Sequence, residues 1–210
     1  MDTQYPVQFS VEYPDRDLNR LTTFFRIFTA IPIVIVFAGV SGGYAGTSGI
    51  GADGTGIAIS TGGLLVIPPL LMILFRRKYP RWWFDWNLEL MRFSSRLVIY
   101  LSLMDDRYPS TDEHQSVMLD FPYPDAEREL RRGLPLVKWL LAIPHAAVLV
   151  VLYIGSLFVV IAAWFAILFT GRFPRALFDY LVGVERWTNR VIGYAIVLVT
   201  DRYPPFTLKA

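Results

Sequence analysis

The chain has 210 residues, 54% of them hydrophobic and 18% charged, with a mean hydropathy of +0.41. That is too apolar for an ordinary soluble domain of this length, and the charges fall between long uncharged stretches, as in a polytopic membrane protein. A net charge of +2 gives no reason to expect nucleic acid, the lack of cysteine excludes disulfides and thiolate metal sites, and the two isolated histidines, His114 and His145, suggest no metal or other cofactor.

The first residues, 1–12, are polar and mixed, without the basic-then-apolar order of a secretory signal. From Val7 to Tyr13 apolar residues alternate with Gln8, Ser10 and Glu12, which predicts a short strand with one apolar face. Val117 to Phe121 alternates less cleanly. An isolated strand is unstable in water, so these two are expected to pair with each other, with the segments after the chain's Asp-Arg-Tyr-Pro motifs, or with a partner protein. Pro14 and Pro124 end them, and Asp15 or Asp125 is then placed to cap a helix.

An apolar helix is predicted over about 18–40, kinked at Pro32, followed by a Gly-, Ser- and Thr-rich loop over 41–60 and a second apolar helix over about 61–75. The loop contains Gly-Ala-Asp-Gly-Thr-Gly but lacks the Lys-Ser/Thr of a phosphate loop. A later apolar run, 134–170, is too long for one crossing of about 20 residues. It predicts two spans, about 134–153 and 157–170, with a tight turn at Gly155-Ser156 and a stop at Gly171. Helices over about 81–104 and 175–200 follow the two apolar blocks. Asp85, Glu89, Arg92 and Arg96 share one face of the first at i, i+4, i+7 and i+11; Asp179, Arg186 and Arg190 do so in the second. Trp82, Trp83 and Trp86 belong to the other faces, which describes an amphipathic helix at headgroup level.

The pieces recur in order. Lys78-Tyr79-Pro80-Arg81 to Phe84-Asp85 returns as Arg172-Phe173-Pro174-Arg175 to Phe178-Asp179, and Asp106-Arg107-Tyr108-Pro109 returns as Asp201-Arg202-Tyr203-Pro204. Tyr13-Pro14-Asp15 matches Tyr123-Pro124-Asp125, and Ala30-Ile31-Pro32 matches Ala142-Ile143-Pro144. Four matches in one order predict a tandem duplication, 1–112 and 113–210. Lys and Arg flank the apolar blocks at the same ends in both halves and are missing from the two predicted turns. The positive-inside rule then predicts parallel repeats with both termini cytoplasmic. The expected fold is a mainly α membrane protein of two such repeats, each a short cytoplasmic strand, a transmembrane helical hairpin and an amphipathic interfacial helix, with four spans in total.

The order of strand, Tyr-Pro-Asp, helix with Ala-Ile-Pro, the stretch Ala163 to Asp179, and closing Asp-Arg-Tyr-Pro-Pro-Phe at Asp201 to Phe206 resembles the bacterial DUF4389 family of uncharacterised membrane proteins. The second half fits best. The first departs by its glycine-rich loop and by Trp82-Trp83 after the Pro-Arg. The resemblance implies a fold and placement in the bacterial cytoplasmic membrane, and it lends no activity and no catalytic residues.

Two kinds of residue invite a functional reading. The basic clusters Arg76, Arg77, Lys78, Arg81 and Arg172, Arg175 suit anionic headgroups, although such clusters also simply set topology. Phe9, Val11, Trp82, Trp83 and Trp86 suit a partner contact. The acidic-basic stripe reads more simply as the wet face of an interfacial helix, with pairs such as Arg81 with Asp85 and Arg175 with Asp179. His145 reads as a residue hydrogen-bonded to a neighbouring helix. No catalytic constellation is apparent. The expectation is a non-catalytic accessory or scaffolding subunit that meets lipid and another membrane or cytoplasmic protein, or a second copy of itself. The rivals are a small transporter, channel or lipid-handling protein using a cleft between repeats, and more weakly a membrane-embedded lipid enzyme.

Overall fold

Alternation is what makes the two strands. The structure, a computed structural model, describes residues 5–41, 69–110 and 115–209. Strand β1 (Gln8–Val11) and strand β2 (Val117–Asp120) pair antiparallel, with Phe9 opposite Leu119 and Val11 opposite Val117. Val7, Phe9, Val117, Leu119 and Phe121 enter the core, while Gln8, Ser10, Met118 and Asp120 face out. Of the pairings the sequence left open, the strands therefore take each other. Glu12 N–H donates to Ser116 O (2.9 Å), so even-numbered β1 residues form the hydrogen-bonded pairs. The N–H and C=O of Phe9 and of Leu119 must then point outward, to the free edges.

Helix α1 (Arg20–Phe24) is capped by the Asn19 side chain, which accepts from Leu21 N–H and Thr22 N–H, and not by Asp15. Asp125 caps only a turn, accepting from Glu127 N–H and Arg128 N–H. A break at Phe25 separates α1 from α2 (Arg26–Ser41), which contains Pro32. The glycine-rich loop, most of the second apolar helix and His114 lie outside the described residues. The chain returns at 69, and a π-helical turn, Met72–Arg76, ends at Arg77 in the left-handed region (φ 52°). Helix α3 (Arg81–Leu101) precedes β2, and α4 (Pro135–Thr170) and α5 (Arg175–Ala195) follow it.

The turn expected at Gly155-Ser156 does not exist. Helix α4 runs unbroken for 36 residues, about 54 Å at 1.5 Å per residue, so the second half has one long apolar helix where a hairpin was expected. Gly155 has a packing reason instead: a Cβ there would stand 2.7 Å from the Tyr180 hydroxyl of α5. Helix α4 lies antiparallel on α5, with Lys138 beside Tyr194, His145 beside Trp187 and Leu152 O accepting from Tyr180. Among the described residues α4 is the one helix long and apolar enough to cross a membrane, and only 17% of its most apolar window is buried.

The main contacts occur in matched pairs. Tyr13 donates to Phe173 O and Tyr123 to Tyr79 O. Tyr13 packs edge-on against Phe178, and Tyr123 against Phe84. Arg175 covers the Tyr13 ring and Arg81 covers the Tyr123 ring. Arg26 and Lys138, both buried, lie over Tyr100 and Tyr194 and donate to Asp105 O and Thr200 O. The Asp-Arg-Tyr-Pro carboxylates take the entries of the apolar blocks: Asp106 accepts from Asn19 N–H and pairs with Arg16, and Asp201 accepts from Arg131 N–H and pairs with Lys138 at 2.7 Å. Leu103 and Leu198, both buried and left-handed (φ 65° and 63°), turn the chain back just before these aspartates. The motif thus reads as a clasp between the end of each amphipathic helix and the start of an apolar block.

The clasps differ in burial, and that fixes their weight. Lys138 is fully buried, whereas the Arg16 side chain is 49% exposed. Removing one partner of a buried pair costs about 3–5 kcal/mol, and an exposed pair is worth about 1 kcal/mol or less. Asp201→Asn should therefore lower the thermal unfolding midpoint in detergent far more than Asp106→Asn. Equal losses would contradict the assignment.

Candidate functional site

A helix with arginines at i and i+4 on one face offers two guanidinium groups to whatever packs there. On α3 these are Arg92 and Arg96, and on α5 Arg186 and Arg190. The acidic part of the face, Asp85, Glu89 and Asp179, is exposed as the sequence suggested, but its arginine part is not wet. It is turned to the sheet and its flanks. Arg92 Nε donates to Leu119 O (2.9 Å) and Arg186 Nε to Phe9 O (3.0 Å), the two carbonyls that the register points outward. Each sheet edge is therefore met by a charge-assisted hydrogen bond, from the preceding helix at Leu119 and from a helix distant in sequence at Phe9.

The two corners differ in charge. Arg92 also meets Glu89 (2.7 Å) and Asp120 (3.3 Å). Arg186 has Leu208 O at 2.9 Å on the C-terminal segment. Arg96 is buried and donates to Ser110 O, while Arg190 is buried beneath the Tyr5 ring. Between the helices, Ser95 and Asn189 share a hydrogen bond at 3.3 Å, and Asn189 also contacts the Glu185 carboxyl (3.4 Å). Burial pushes the Glu185 carboxyl up to about 7, against a smaller opposing effect of the Asn189 hydrogen bond. Sequence reading missed Glu185, which sits one residue away from the stripe.

The remaining expected site residues are spread over the surface. Arg76, Arg77, Lys78, Arg81, Arg172 and Arg175 are exposed; Arg172 pairs with Asp17 and Arg175 with Asp179. Asp85, Glu89 and Asp179 are exposed. Trp82 and Trp86 are exposed one turn apart, with Trp83 half-buried between them. Phe9 is buried and Val11 half-buried, so neither forms an open partner edge. His145 accepts from Trp187 Nε1 at Nδ1 (3.0 Å) and stacks on Phe206. Cavities lie beside both clasps, about 330 Å³ at Arg16 and Asp105 and about 750 Å³ at Arg131 and Asp201. Among the described residues no three His, Asp or Glu side chains converge as a metal site would require.

Residues 135–207, from α4 through the second clasp to Thr207, match one family model. That family is described as Domain of unknown function (DUF4389). No curated protein and no solved structure matches the chain. The matched stretch holds Lys138, Asp201, Arg186, Arg190, Glu185 and the His145–Trp187 pair. The first half falls outside it.

A carboxyl whose folded pKa is raised binds its proton more tightly when folded, so folded stability falls as pH rises from the unfolded value of 4.5 to about 7. Above that window the penalty is constant, at about 3 kcal/mol by the linkage of 1.36 kcal/mol per pH unit. Glu185→Gln should therefore unfold at a higher temperature than the parent at pH 8, with the gap closing toward pH 4.5. A gap independent of pH would contradict a neutral buried Glu185.

Proposed function

We propose that the chain is an integral membrane protein without catalytic function, an accessory or scaffolding subunit built from two copies of one unit, 1–112 and 113–210. The observation that carries this reading is the outward face of α4. Its buried positions form one stripe, Lys138, Ala142, His145 and Leu149, continued by Ala163 and Ile167. Around it Trp139, Leu140, Val150, Val151, Ile154, Leu157, Phe158 and Phe165 are exposed, and α2 exposes Ile27, Phe28, Ile31 and Ile35 beside its own stripe of Arg26, Ala30 and Ile33. An uncovered apolar surface of that extent is untenable in water and is what lipid covers. The matched contact pairs support descent from one duplicated unit with exchanged strands. In this reading the cationic segments at 76–81 and 172–175 face the cytoplasm of a bacterial cell.

Partner binding in this reading falls to Trp82 and Trp86 beside Arg76, Arg77 and Lys78, because the strand edges are occupied. Aromatic and arginine side chains together are the usual anchors of a protein interface. Two measurements test the reading. Cysteine at position 151 or 158, labelled with a polarity-sensitive dye, should be quenched by acyl-chain nitroxides and spared by aqueous iodide, with the reverse at position 118. Iodide quenching at 151 and 158 would remove the membrane placement. Separately, Trp82→Ala with Trp86→Ala should abolish co-purification of a partner while membrane extraction stays unchanged. Retention of every partner would end the scaffold reading.

A further inference from the structure

Arg186 and Arg190 line a cavity of about 210 Å³ together with Tyr5, Phe9 and Ser10 at the edge of β1. Arg190 is only 4% exposed, and its Nε and Nη1 have no hydrogen-bond partner. Such donors are normally satisfied when buried. Burial first, and the like charge of Arg186 second, lower its pKa from the ordinary arginine value, against a smaller raising effect of Tyr5; among the described residues no carboxylate opposes them.

The corner at Arg92 shows what is missing. There Glu89, three residues before the arginine, and Asp120, next to the accepting carbonyl, supply two negative charges. Three residues before Arg186 stands Gly183, and next to Phe9 stands Ser10. Gly183 is closed over by the C-terminal segment: a Cβ there would lie 2.8 Å from Leu208 Cβ. Both acids are thus replaced by uncharged residues, and among the described residues the cavity shared by the two cations is lined by no anion.

We propose that the Arg186–Arg190 cavity binds a phosphate monoester group. A carboxylate would balance one of the two cations. A phosphate monoester carries close to two charges and offers three oxygens to the free N–H donors of Arg190 and the remaining ones of Arg186. The outward Phe9 N–H of the strand edge faces the same side. The phosphate comes either from solution, as inorganic phosphate or a small ester, or from a headgroup such as phosphatidic acid.

The full chain, purified in detergent, is titrated with inorganic phosphate at constant ionic strength by calorimetry. In parallel it is reconstituted in phosphatidylcholine with and without phosphatidic acid, and retention of that lipid after exchange into detergent is measured. The expected result is saturable binding in at least one arm, weakened tenfold or more by Arg190→Gln and by Ser10→Asp. The second substitution installs the carboxylate found at the Arg92 corner on an exposed position, so an unchanged melting temperature separates loss of binding from loss of fold. Binding of inorganic phosphate alone assigns a soluble ligand, retention of phosphatidic acid alone assigns the headgroup, and both together assign the shared group. No saturable binding in either arm, or undiminished affinity in Ser10→Asp, overturns the proposal.

Discussion

Two backbone carbonyls that the pairing of β1 with β2 turns outward make the strongest demand on this architecture. A two-stranded sheet has only edges, and it is marginal alone. Here Arg186 answers Phe9 O from the far end of the chain, and Arg92 answers Leu119 O from the helix that precedes β2. The helices must cross the sheet in one orientation for both bonds to form. That orientation sets the aromatic contacts of Tyr13 with Phe178 and Tyr123 with Phe84, and it brings Ser95 to Asn189 between the helices.

The buried cations make the second demand. Arg26 and Lys138 stand at the starts of otherwise apolar helical stretches, and neither position tolerates an unpaired charge. An aromatic face and a backbone carbonyl meet each of them, and Lys138 adds the carboxylate of Asp201. The Asp-Arg-Tyr-Pro segment is placed by this need. Its aspartate also accepts a backbone N–H at the entry of the apolar block, so one side chain serves a charge and a chain end together.

The recurring motifs, the two strands and the amphipathic helices were legible because each leaves a local period or spacing. What those elements meet was not. The spacing of Arg92, Arg96, Arg186 and Arg190 identifies a face, but a guanidinium suits water, a headgroup and a strand carbonyl alike, and the choice depends on a contact more than a hundred residues away for Arg186. Gly155 misled for a related reason. Glycine permits a turn and equally permits close approach, and inside an apolar helix it costs only about 1 kcal/mol. The Tyr180 hydroxyl decides the matter, and its position follows from the packing of α5 on α4. The His145–Trp187 hydrogen bond, by contrast, is the kind of interhelical contact a lone histidine in an apolar helix suggests.

Strand pairing between distant segments has a bearing on biosynthesis. The residues of β1 are made well before their pairing partner, which begins at Val117, and before the guanidinium that meets their edge, Arg186. Until both have been synthesised, β1 exposes an apolar face and unsatisfied carbonyls. Contacts of such long sequence separation slow folding, and an uncovered strand is prone to wrong pairing while it waits. Strand β1 is made before β2 and its edge is closed only after α5, so a chain interrupted before α5 leaves it paired with β2 but with the Phe9 carbonyl uncovered.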